Sequence, residues 1–540
     1  MQRMQRAAAV LMLLMATNSH AVLAQHDAHD AHGKGNHQVM LGHVTFPNSA
    51  NAAAQKPFIT GLALLHSFEY DDAADSFRVA QKLDPGFALA YWMEAITNSK
   101  LVWGLEDRAA AMQVLSRLGP TKEARLAKAR TRGERGFGAA VEAFYGAEGD
   151  APSRVRVFAD AMRKWATTSP DDPEAHAFTA LAIIWQAYFL EDAAADSLNR
   201  EAVKHAQFVF DRNPQHPGAA HYIIHASDSP AGAARGLAAA RAYSKIAPDA
   251  SHALHMPSHI FLPLGMWDDL VSSNERAWAA TSAVVRQKKL PASDNDWHSL
   301  NWLQYAYLQL GRWKDARALI DTARALTADL SHLKKISDDP DAAYAVEELA
   351  FRYGAETGDW SAFPADTVAI STTDTTISER AQGSAIISLY HRGTVAALRG
   401  DSVRAKAAID YFSSHRPPLA QRIELSLLIQ RGDTAAALAM LDKLRPTLRV
   451  DRYSTMTPGF AINAAEQIGE LLVAAGKPKE AIALYRDALA DRPRRARSML
   501  GLARAQAAAG DRAGSAKTYK ALAEMWGHAD PTVRHLTAKQ

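Results

Sequence analysis

Two short stretches place imidazoles four residues apart. "HYIIH" carries His221 and His225, and "HMPSH" carries His255 and His259. Residues i and i+4 share one face of an α-helix, and a His pair at that spacing chelates an ion. The second pair follows the first by 34 residues. Neighbouring helices pack about 8–10 Å apart, so one ion would be closed by the four imidazoles, or by three of them with Asp228 as a carboxylate. Such donors suit a transition metal, Zn²⁺, Cu²⁺ or Fe²⁺, and release it as pH falls through about 6, because the neutral imidazole is the ligand. The chain has no cysteine, so any metal site must use N and O donors. His252 lies on the same stripe as His255 and His259. Pro257 falls between the last two, where it should kink the helix and free the carbonyl of Ala253.

The elements that must hold these residues repeat. Near the C-terminus Gly476 recurs as Gly510 and Tyr485 as Tyr519, both 34 residues on. That is the period of a helix–turn–helix unit. Gly469, Ala481, Ala488 and Pro493 supply the small residues and the break that such a unit needs. These residues resemble the tetratricopeptide-repeat family. Numbering Gly476 as position 15 carries the frame upstream through Gly61, Ala73, Phe77 and Pro85, and through Gly265 and Gly311. Gly400 and Gly432 mark weaker units. The expected fold is all-α, a right-handed helical-repeat solenoid in which each unit exposes an apolar face that only its neighbour covers.

In this frame His221 and His225 hold positions 5 and 9 of one repeat, and His255 and His259 hold them in the next. His252 and His298 both fall at position 2, Asn301 at 5 and Tyr305 at 9. Asp228 is at 12 and His66 at 13. Glu348 and Arg352 take positions 5 and 9 if Gly358 is position 15. First helices line the concave groove of tetratricopeptide folds, so the resemblance implies that the histidines point into it. His252, His298, Asn301, Tyr305, Glu348 and Arg352 are the groove candidates, and the last two also read as an ordinary i,i+4 ion pair. Trp267, Trp278, Trp297 and Trp302 cluster around the histidines and read as core. "HPGAAHYIIHASDSP" and "HALHMPSHIFLPLGMWDDLVSSNERA" resemble secreted bacterial tetratricopeptide-repeat proteins. That resemblance spans most of residues 40–325 and implies a fold and a location, with no reaction.

Residues 1–24 read as a signal peptide, with Arg3 and Arg6 before an apolar run. The expected address is therefore the periplasm or the exterior of a bacterium. Residues 25–50 are expected to form a mobile His-rich segment, with His26, His29, His32 and His37 at its start. Then come N-terminal repeats at 51–103, irregular helical pairs at 104–170, the His-bearing repeats at 171–325 and C-terminal repeats at 326–540. "RTRGERGFG" (130–138) reads as a turn before a helix at Ala139. A formal charge of +3 with no basic block argues against a nucleic-acid partner. After the leader no apolar run is long enough for a membrane span. H-E-x-x-H, a P-loop and G-x-S-x-G are all absent. The leading expectation is a binding scaffold whose concave groove takes a peptide, protein segment or small ligand above the metal-holding histidines. A metal-dependent enzyme, with Asp228, Glu348 or Tyr305 as acid or base, and a metal storage or delivery protein are the alternatives.

Overall fold

The computed structural model describes residues 40–190, 192–328, 340–364, 379–444 and 463–538. The expected leader and the His-rich stretch 25–37 lie outside them. The described chain is all-α, a succession of antiparallel helix pairs stacked into a solenoid, with one two-residue β-ribbon, Ser99–Lys100 with Leu105–Glu106. Among the described residues no helix is long and apolar enough to cross a membrane.

The repeat frame has a physical basis at two positions. Gly265, Gly311, Gly358, Gly400, Gly432, Gly476 and Gly510 all take positive φ, between 65° and 82°. Each closes a first helix with a left-handed residue, a conformation that glycine adopts without a Cβ clash. At position 8 the need is space. A Cβ on Gly61 would stand 2.8 Å from the Phe77 ring, and one on Gly469 2.5 Å from the Tyr485 ring. The aromatic of the second helix thus seats directly on the backbone of the first.

The tract 130–138 differs from expectation. The helix starts at Arg132, with a capping box between Thr131 and Glu134, and runs to Gly146. Gly133, Gly136 and Gly138 lie inside it because Cβ atoms there would meet the rings of Phe46, Trp165 and Trp92 at 2.8, 2.3 and 2.6 Å. Close packing overrides the poor helix propensity of glycine.

The His-bearing helices are fixed at both ends. His216 caps Pro217–Ser227, its Nδ1 accepting from the Ala219 N–H at 3.1 Å, with Pro217 at the first helical position. Asp296 caps Trp297–Gln309 through the Ser299 N–H at 2.9 Å. From the far side the C-terminal repeats fold back onto this region. Trp526 Nε1 donates to the Gln309 carbonyl at 2.9 Å, Asp530 N–H to the Gly311 carbonyl at 3.0 Å, and Trp267 Nε1 to the Arg494 carbonyl at 3.0 Å.

Pro257 does more than kink its helix. The chain forms two short helices, Ser251–His255 and Ser258–Phe261, with Pro257 as the N-cap of the second. Lacking an N–H, proline cannot continue the ladder. The backbone stays near helical, at φ −54° and ψ −28°, so His255 and His259 still face the same way.

Candidate metal centre

The structure gathers six histidines into two triads. His221, His225 and His252 form one, His255, His259 and His298 the other, and within each triad one nitrogen per residue lies within 4.8 Å of the others. Each triad is the 5,9 pair of one repeat joined by position 2 of the next. The triads adjoin, with the His225 and His259 ring centroids 6.2 Å apart.

This differs from the single ion expected between the two pairs. Each pair closes on its own third histidine, because the position-2 side chain of the following helix reaches it first. Asp228 stands behind the donors, where its Oδ2 accepts from His259 Nδ1 at 2.7 Å. His252 and His298, expected as groove residues, are triad members. The cluster also lies deeper than an open groove floor. His221, His255 and His259 are buried, and His225, His252 and His298 are half-buried.

Hydrogen bonds fix the tautomers of two members of the second triad, His255 and His259. Asn274 Nδ2 donates to the Leu270 carbonyl at 2.8 Å and to Ser258 Oγ at 2.8 Å. Its Oδ1 therefore faces His255 Nδ1 at 2.7 Å as an acceptor, and His255 carries its proton on Nδ1. Ser299 Oγ, which gives its hydrogen to Asp296, accepts from the same Nδ1 at 3.2 Å. The Asp228 carboxylate likewise places the His259 proton on Nδ1. In the neutral rings both Nε2 atoms then carry lone pairs, and they face each other at 3.2 Å. Two facing lone pairs at that distance repel, and a proton or a metal ion between them would satisfy both. Trp302 walls this triad, 5.2 Å from His255 and 4.8 Å from His259; its burial agrees with the core role read for the tryptophans.

In the first triad His221 Nδ1 donates to the His66 carbonyl at 2.7 Å, leaving a lone pair on Nε2. The Nε2 atoms of His221, His225 and His252 are buried without a hydrogen-bond partner. Phe68 covers all three rings, at centroid distances of 4.3, 5.3 and 5.8 Å, and does so from a left-handed backbone of φ 60°, a strained conformation of the kind found at functional sites. Trp103, carried by the β-ribbon turn, meets His252 edge-on at 5.8 Å. Glu69 accepts from the His252 N–H at 3.3 Å and from Ser251 Oγ at 3.1 Å, capping the short helix; burial raises its carboxyl to about 7. Burial also pushes the imidazoles of His221, His225, His252, His255 and His298 well below their ordinary value, so they are neutral, as metal ligands must be.

The other groove candidates hold one another. Arg352 Nη1 donates to Asn301 Oδ1 at 2.7 Å, and Asn301 Nδ2 donates to Glu348 Oε2 at 3.2 Å. The expected Glu348–Arg352 pair is thus bridged by Asn301. Tyr305 is buried, and its hydroxyl accepts from Arg495 Nη1 at 2.7 Å.

Sequence reasoning did not single out Glu174 and His216. With His66 they form a third His/carboxylate group, fully buried. His66 Nε2 meets Glu174 Oε2 at 2.8 Å, His216 Nε2 meets Oε1 at 3.1 Å, and His66 Nδ1 accepts from the Tyr222 hydroxyl at 2.9 Å. Burial alone would raise the Glu174 carboxyl, but the two imidazoles outweigh it and hold it at about 2. No sequence spacing links these three. The residues around the second triad, Asn274 and Ser299, also lack a signature.

Comparison with known proteins bears on the C-terminal helices. Residues 472–539 match the tetratricopeptide repeat family. No curated protein matches the chain. Among solved structures, the human IFIT1 dimer with PPP-AAAA is 12% identical over 88% of this chain and 95% of that one, with a TM-score of 0.37. Yeast Tom70 is 13% identical over 90% and 93%, with a TM-score of 0.26. Those scores carry no argument about the site, which rests on its own geometry.

Proposed function

We propose that this repeat protein is a binding scaffold that holds a transition-metal ion, Zn, Cu or Fe, on His255, His259 and His298. The supporting observation is the pair of Nε2 lone pairs 3.2 Å apart, fixed in that tautomer by Asn274 and Asp228. Ligating histidines ordinarily pass their other N–H to such acceptors. The solenoid surface beside the half-buried His298 then presents the ion to a peptide, protein segment or small ligand. Export to the periplasm or beyond, as expected from residues 1–24, belongs to the same reading.

A second reading, a metal-dependent enzyme, draws on the donor count. Three protein ligands leave a coordination position open, as catalytic rather than structural ions require. Of the expected acid–base groups, Asp228 is engaged by His259, Tyr305 by Arg495 and Glu348 by Asn301, and that favours the scaffold.

Metal content by mass spectrometry tests the proposal, on full-length protein purified without a His tag. The native chain should retain about one equivalent more than the His255→Ala/His259→Ala variant. Equal content in the two would overturn the reading and leave a shared proton as the cation between the rings.

A further inference from the structure

The first triad is the same construction one repeat earlier. We propose that His221, His225 and His252 hold a second transition-metal ion beside the first, so that six histidines form a two-ion centre. This rests on the reading above, and it adds a site, a stoichiometry and a proximity.

Three observations carry it. The first is the set of nitrogens. His221 Nδ1 donates to a carbonyl, which can only accept, so Nε2 must be the bare nitrogen. The Nε2 atoms of His225 and His252 join it, all three buried and unpartnered, with one donor per residue inside 4.8 Å. A buried polar atom without a partner is costly, and a fold that gathers three such histidines has a ligand for them. The second is the repeat itself. A 34-residue step carries His221 and His225 onto His255 and His259, and the following step, 46 residues long, brings His298 to the position that His252 holds in its own repeat. The backbone therefore presents two copies of one donor set. The third is enclosure. Phe68 and Trp103 cover the first triad as Trp302 walls the second, which excludes competing water from the nitrogens. His225, His252 and His298 are the half-buried members, so both ions are reached from the accessible edge of the cluster. The contact between the His225 and His259 rings, 6.2 Å between centroids, makes the two ions near neighbours.

The test counts ions and measures their proximity. The full chain is stripped with chelator, reloaded with Cu(II) and freed of excess. His26, His29, His32 and His37 are changed to serine in every sample, so that the N-terminal segment contributes nothing. The expected result is two Cu per chain, one in His225→Ala/His252→Ala and one in His259→Ala/His298→Ala. The electron paramagnetic resonance spectrum of the two-ion form should be broadened by dipolar coupling. Each single-site variant should give a sharp, isolated Cu(II) signal. One Cu per chain, lost only from the second variant, would overturn this inference and leave the proposed function standing. One Cu lost from both variants would mean a single shared ion and would also overturn it. No Cu at all would remove both readings. If a variant does not fold, the unaltered sites still decide, since two ions with an uncoupled spectrum contradict a paired centre.

Discussion

The His66–Glu174–His216 group and the six-histidine cluster are adjacent, buried and built from the same side chain, yet they solve opposite problems. In the first, every nitrogen has a partner. Glu174 accepts from two imidazoles, Tyr222 donates to His66, and the His216 Nδ1 caps a helix. In the second, His221, His255 and His259 have acceptors on their outer nitrogens, the Nε2 atoms of His221, His225 and His252 have no partner, and those of His255 and His259 face each other. The two regions meet at the His66 carbonyl, which orients His221. A buried histidine cluster is therefore not diagnostic by itself. What separates a structural network from a receptor is where the protons are forced to sit.

Cutting the satisfied group should give the largest effect. Glu174→Ala leaves two imidazole donors buried without an acceptor, and removing one member of a buried charged network costs about 3–5 kcal/mol. Denaturant unfolding of chelated protein should show a loss of that size, unchanged by added metal. A loss that metal restores would place Glu174 with the ligands and break the distinction.

Metal should separate the regions in the other direction. Zn²⁺ at a hundred times its dissociation constant should stabilise the native chain by about 2.7 kcal/mol. The thermal shift should disappear with chelator, while His66→Asn should keep most of it. In chelated protein, replacing His252 by phenylalanine should be nearly neutral, because no hydrogen bond of its Nε2 is lost.

Acid should reach the cluster first. The imidazoles of His221, His225, His252, His255 and His298 titrate near 6.5 when unfolded and well below that when folded. The unfolded chain then binds more protons, so stability is complete above about 6.5 and is lost as pH falls below it. Glu174 is held at about 2 against an ordinary 4.5, so its contribution persists above 4.5 and fades only toward 2. Urea midpoints should fall from pH 7 to pH 5, and replacing His221 and His255 together by phenylalanine should flatten that slope. A midpoint that is level from pH 7 to pH 5 would contradict the assignment.

Asp228→Asn sharpens the comparison within the cluster. The amide keeps an acceptor but lowers the basicity of His259, and such changes behind a ligand cost roughly 10–100-fold in metal affinity. Titration should show that loss at the second triad alone. A further contrast concerns Asp72, whose neighbour Glu69 caps the short helix that carries His252. Burial, and then Glu69, raise the Asp72 carboxyl to about 8. The folded state then holds the proton more tightly, so this contribution is full below 3.8 and lost as pH rises through about 8. Asp72→Asn should match the native chain in urea midpoint at pH 4 and be the more stable of the two at pH 9.

The sequence by itself determined the helical repeat, because apolar spacing, a left-handed glycine after each first helix and a small residue under each aromatic are local requirements. It also determined that the 5,9 pairs recur on one face, since a 34-residue period carries His221 onto His255 and His225 onto His259. The position-2 histidines were visible as a recurrence, but that each would complete the preceding pair depends on how one repeat leans on the next. Only the tertiary structure decided that there are two triads rather than one shared ion, that Asp228 stands behind His259, and that Asn274 and Ser299 set the His255 tautomer. It alone brought Glu174 to His66 and Tyr305 to Arg495 across distant stretches of chain. Period and propensity act along the backbone and can be read in order. Proton placement depends on which acceptor lies within about 3 Å of a ring nitrogen, and that distance exists only after the repeats have packed.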